Sequence, residues 1–118
     1  MSTRSMARQK RAEPAHANVL RDVPPENAFY FYEGIGQPTG LASRSLVEFR
    51  DQTKAASPAS IEFHLERGDF ENWFRMLGDE SLSQQVANLR KRRPAADQLP
   101  SRLSSLVDSR IRQLRRSG

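Results

Sequence analysis

Residues 69–78, DFENWFRMLG, set Phe70, Trp73, Phe74 and Leu77 at i, i+3, i+4 and i+7. That spacing gathers four large apolar side chains onto one face of an α-helix. Asp69 stands where an N-cap is expected and Gly78 where a helix stops. Burying one large aromatic contributes roughly 2–3 kcal/mol, so this stripe alone predicts a packed core built on helices.

The flanks follow the same period. Upstream, Ser57-Pro58 reads as N-cap and N1 of a helix that carries Ile61 and Leu65 and ends at Gly68. Before that, Ser45-Leu46-Val47-Glu48 has capping-box spacing, with Ala42, Leu46, Phe49 and Thr53 on one face. Downstream, Asp79 is placed to cap a helix bearing Leu82, Val86 and Leu89. The gaps are only a few residues long, so neighbouring helices must pack on one another.

Two segments lack this clarity. FYFYEGIGQPTG, residues 29–40, gives Phe29 and Phe31 one face of an extended segment and Tyr30 and Tyr32 the other. No second β-rich run follows. The segment can dock on the helices, pair with a copy of itself or form a short helix; a docked extended segment is the favoured reading. Its three glycines and Pro38 are read as turn geometry, because no βαβ unit surrounds them and no Gly-Lys-Ser/Thr follows. At the other end, 101–116 forms a basic amphipathic helix. Leu103, Leu106, Val107, Ile111 and Leu114 fall on one arc, Arg102, Arg112, Arg115 and Arg116 lie outside it, and Arg110 intrudes near its middle. Such a helix can fold back on the core, pair with a partner helix or lie on an anionic surface. The fold expected is therefore mainly α: a compact bundle of about four short helices, a docked aromatic segment and a basic C-terminal helix.

Charge divides the chain. Residues 1–28 hold five Lys and Arg against three Asp and Glu, 29–90 six against nine, and 91–118 eight against two. The net charge of +5 thus belongs to the flanks. The division expected is a basic flexible arm at 1–25, a compact domain at 26–90, and a basic linker with amphipathic helix at 91–118. Arg90, Lys91, Arg92, Arg93, Arg102, Arg112, Arg115 and Arg116 are the candidate polyanion contacts, with nucleic acid the first polyanion to consider. The apolar arc of the last helix is the candidate face for a partner helix, and a protein partner or self-association is the alternative use.

In order, an aromatic pair followed by IGQPTG, then SLVEF, then EFHLERGDFENW and LGD resemble a small domain family of unknown function found in bacteria and archaea. The resemblance covers about residues 28–90. It implies a compact domain that occurs alone or beside other modules, and it brings no activity, cofactor or catalytic residue.

The densest polar group is EFHLERGD, with Glu62, His64, Glu66, Arg67 and Asp69. A carboxylate near His64 could orient it for base chemistry, but no nucleophile pairs with it and the only other histidine is His16. A structural His64 and a local Arg67–Asp69 pair around Gly68 are expected. Tyr30, Tyr32, His64 and Arg67 are left as the residues of a candidate surface pocket. With no cysteine, a thiolate nucleophile and a sulfur-ligated zinc are excluded. The sequence points to no catalytic residue, metal, cofactor or small-molecule substrate. No apolar run approaches a membrane span, the start of the chain lacks the apolar region of a secretory signal, and a cytoplasmic location is expected.

Overall fold

The computed structural model describes residues 19–117. The expected arm at 1–25 lies outside them as far as residue 18. After a short 3-10 turn at Pro25–Asn27 come two strands, β1 (Phe29–Tyr32) and β2 (Pro38–Ser43). Five helices follow: α1 (Leu46–Ala55), α2 (Pro58–Arg67), α3 (Asp69–Leu77), α4 (Glu80–Arg92) and α5 (Leu99–Ser117), the last entered through a 3-10 turn at Ala96–Gln98. The described chain is thus mainly helical, with one small two-stranded sheet.

Local chemistry sets the boundaries. Ser45 caps α1 by accepting from the Glu48 N–H at 3.1 Å, while the Glu48 carboxylate accepts from the Arg44 N–H at 2.7 Å. Ser57 caps α2 in the same way, with Pro58 in the first turn. Gly68, at φ 77°, is both the last cap of α2 and the first of α3, so α2 turns into α3 through a single left-handed residue. This displaces Asp69 from the expected N-cap: it is the first residue of α3, and its carboxylate turns to other partners.

The aromatic segment is not an unpaired docked strand. β1 pairs antiparallel with β2, matching Phe29 with Ser43, Tyr30 with Ala42 and Tyr32 with Pro38, with an irregularity in between. Thr39 covers that irregularity, its hydroxyl donating to the Phe31 carbonyl and accepting from the Leu41 N–H. β2, PTGLAS, has little intrinsic strand character. It becomes a strand because β1 must turn Phe29 and Phe31 into the core, which leaves the far edge of β1 to be paired.

Phe49 lies at the centre of the core. It is fully buried, stacks on Trp73 with centroids 5.4 Å apart, and meets Phe74 edge-on at 5.0 Å and Phe70 at 5.4 Å. Phe29 and Phe31 close the cluster from the sheet side, each 5.6 Å from Phe49.

The C-terminal helix is the main departure from the expected domain division. α5 packs chiefly along α1, and Leu99, Leu103, Val107, Ile111 and Leu114 are all buried in the same cluster as Phe49. Val19 and Val23 join that cluster from the other end. The core therefore runs well past both limits of the expected 26–90 domain, and α5 is one of its walls.

Candidate functional sites: a wired histidine, an aromatic groove and the basic residues

Tyr30, Tyr32, His64 and Arg67 line one groove, together with Ile35 and Phe63. The groove has a volume of about 420 Å³ and lies between the hairpin and α2. Tyr30 is about half exposed, and Ile35, at the tip of the hairpin, is 82 % exposed. Phe63 and Ile35 were not singled out by the sequence. The usable signal was an isoleucine held between Gly34 and Gly36, where a hairpin tip leaves a side chain nothing to pack on.

His64 forms the floor and is buried. Its Nε2 accepts from the Tyr32 N–H at 2.8 Å, and its Nδ1 lies 2.8 Å from Asp69 Oδ2. Accepting at Nε2 places the proton on Nδ1, which donates to the carboxylate. The same Asp69 oxygen accepts from Arg67 Nε at 3.0 Å, and the Arg67 guanidinium lies 5.0 Å from the Phe63 ring centroid. One chain of hydrogen bonds thus runs from the hairpin backbone through His64 and Asp69 to Arg67. The Nε2 lone pair a general base would use is held by a backbone N–H, so the imidazole acts here as a connector between β1, α2 and α3.

Burial pushes the His64 pKa below its ordinary 6.5, against the upward pull of Asp69 and with a smaller downward push from Arg67. Folded His64 therefore takes up a proton at lower pH than unfolded His64. Its contribution is complete above about pH 6.5 and is lost as pH falls below that. The urea midpoint should accordingly drop between pH 7.5 and pH 5.5, and the drop should shrink in His64→Gln. An equal drop in both proteins would remove the histidine from the account.

The basic residues divide into those with a side-chain partner and those without an ion pair, and exposed residues occur in both groups. Arg90 pairs with Glu71 at 2.8 Å, and Arg112 pairs with Asp108 at 3.2 Å one turn away on α5. Arg102 donates to Gln98. Lys91, Arg92, Arg93, Arg115 and Arg116 are exposed and make no ion pair among the described residues. Arg90, Lys91 and Arg93 do share a cleft of about 740 Å³ with Glu62 and Glu66 of α2, which offsets part of their field. The proposed partner-helix face is already covered: Leu103, Val107, Ile111 and Leu114 are buried within the chain itself, and Leu106 is partly buried against the same cluster.

Arg110, the residue that broke the apolar arc, has its reason in Asp79. Its Nε and Nη2 reach the two carboxylate oxygens at 2.8 and 3.1 Å. Asp79 is buried and also caps α4 by accepting from the Leu82 N–H at 3.0 Å. Among the described residues no cluster of His, Asp and Glu is placed to hold a metal ion, and no helix is long and apolar enough to cross a membrane. No protein-family model, curated protein or solved structure matches this chain.

Proposed function

We propose that this is a non-enzymatic binding protein of the cytoplasm that docks on a polyanion, nucleic acid first, through the outward face of α5 and the basic end of α4. The observation that supports this reading most is the distribution of charge on α5. At about 100° per residue, Arg102, Arg112 and Arg116 fall within an arc of roughly 80°. The buried leucines occupy the opposite side, and exposed Ser105 and Ser109 fill the stripe between the arginines. The stripe runs about 21 Å along the helix axis at 1.5 Å per residue. Lys91, Arg92 and Arg93 precede it, separated from the helix only by residues 94–98. A rigid helix with its apolar side satisfied holds these guanidinium groups in register, and contacts of that kind bind phosphates without reading bases.

Full-length protein should retard random duplex DNA or RNA at 50 mM salt and lose most of that affinity by 200 mM. Reversing Arg102, Arg112 and Arg116 to Glu together should cut affinity at least a hundredfold while the melting temperature stays within a few degrees, since surface charges contribute little to stability. If the unaltered protein ignores both nucleic acids at 50 mM salt, the proposal fails.

A further inference from the structure

We infer that His64 is an acid-released latch: uptake of a proton at Nε2 frees the tip of the hairpin, residues 32–38, while the helices and the root of the hairpin stay folded. Both ring nitrogens are already engaged. Nε2 accepts from the Tyr32 N–H and Nδ1 donates to Asp69, each at 2.8 Å. A second proton can go only to Nε2, and there it turns an acceptor into a donor that faces another donor. The two bonds respond in opposite directions. The Nδ1–H bond to Asp69 gains a full charge and strengthens, whereas the contact with Tyr32 becomes repulsive. His64 lies on α2 and Asp69 opens α3, the two helices being joined through Gly68. The imidazole therefore stays with the helices, and β1 gives way.

The hairpin is built to part at Tyr32. Its root is anchored, with Phe29 and Phe31 buried in the core and the Trp73 indole N–H donating to the Asn27 carbonyl at 2.8 Å. The pairing of β1 with β2 is irregular between Tyr30 and Tyr32, so the ladder is already interrupted where the latched part begins. Beyond that point no residue of 32–38 is buried. Besides His64, a side-chain tether reaches the tip from α2's N-cap, where the Ser57 hydroxyl donates to Glu33 Oε2 at 2.7 Å, and that bond is exposed. The tip closes on itself through the Glu33 N–H to Gln37 O and Gln37 N–H to Gly34 O bonds, so it swings as a unit.

The groups facing the ring hold the latch shut near neutral pH. The charged ones are Asp69 of α3 and Arg67 at the end of α2, and Tyr32 of β1 is the other titratable neighbour. Phe29 and Phe31 of β1, Phe63 of α2 and Phe70 of α3 surround the imidazole with centroids 4.8–6.2 Å away. Burial among these rings outweighs the pull of Asp69, which puts release below pH 6.5. Once the tip has left, water reaches Nε2, so protonation and release reinforce each other. Release also takes Tyr32, Gly34, Ile35 and Gly36 away from the groove, which becomes an open face of α2. The latch uses none of the arginines of α5 and stands apart from polyanion docking.

Nitrogen-15 NMR of the full-length protein between pH 7.5 and pH 5 tests the latch. The Tyr32 amide shift should follow the titration of the His64 ring with a common midpoint. Heteronuclear NOE values of residues 33–37 should fall across that midpoint, while those of residues 49–53 and 70–77 hold. Glu33→Ala lies at an exposed position and removes the second tether, so the midpoint should rise, with His64 binding its proton at least about twofold more tightly. His64→Gln should keep the tip ordered at both ends of the range. A tip that stays ordered through the His64 titration, or a midpoint unmoved in Glu33→Ala, would overturn the inference. So would a His64 that remains neutral to pH 5, the same loss of tip order in His64→Gln, or a single transition in which helices and tip unfold together.

Discussion

Deleting α5, residues 99–118, should abolish cooperative unfolding altogether. Leu99, Leu103, Val107, Ile111 and Leu114 are each at most 3 % exposed, and their removal uncovers the side of α1 against which α5 packs. Loss of a single buried aliphatic side chain costs about 2–5 kcal/mol. Five together amount to about 10–25 kcal/mol, which matches or exceeds the roughly 5–15 kcal/mol by which a domain of this size is stable. The shortened chain should keep helical far-ultraviolet circular dichroism, lose near-ultraviolet signal from Trp73, and bind hydrophobic dye. A truncated protein that still melts in one sharp transition near the full-length temperature would show that α5 is an appendage. Truncation consequently cannot test polyanion binding, because it removes the fold with the charge; charge reversal on the outward face is the usable experiment.

The next largest effect is expected at Asp79. Its carboxylate is buried, caps α4, and receives two bonds from Arg110 across the α4–α5 contact. Asp79→Ala removes the cap, worth about 1 kcal/mol, and strands a largely covered guanidinium, for which losses of about 3–5 kcal/mol are usual. Arg110 is 22 % exposed and can turn partly to water, so a total of about 3 kcal/mol is expected, near the lower end. That corresponds to roughly 12 °C in melting temperature for a domain of this size. Asp79→Asn keeps a cap acceptor and should lose less. A double-mutant cycle with Arg110→Met should return a coupling of at least about 1 kcal/mol; additive losses would mean that the two groups do not support each other.

How much of this was legible depended on whether the cause was local. Ser45, Ser57, Gly68, Gly78 and Asp79 set the helix boundaries by chemistry within a few residues, and those boundaries stand where the sequence put them. The stripe of Phe70, Trp73, Phe74 and Leu77 is likewise buried as its period required. What escaped was decided at long range. β2 is a strand only because β1 needs a partner, and nothing in PTGLAS announces that. Asp69 looked like a cap until His64 and Arg67, close in sequence but turned toward it by Gly68, claimed its carboxylate. The apolar arc of α5 was visible, yet an amphipathic helix fits its own core and a partner's equally well by period alone. Arg110 held the missing information: a charge inside an apolar arc requires a buried counter-charge, and Asp79 supplies it from 31 residues away. For the candidate groove, Tyr30, Tyr32, His64 and Arg67 were recognisable by type, whereas Ile35 and Phe63 came to light only once the hairpin was closed.

Native-state hydrogen exchange on the full-length chain is the most direct measurement of whether α5 belongs to the globule. Amides of residues 103–114 should open only with global unfolding, with the same free energy as those of residues 49–53 in α1. If the α5 amides exchange orders of magnitude faster than the α1 amides, the helix does not wall the core, and both its protected apolar face and its fixed arginine stripe are contradicted.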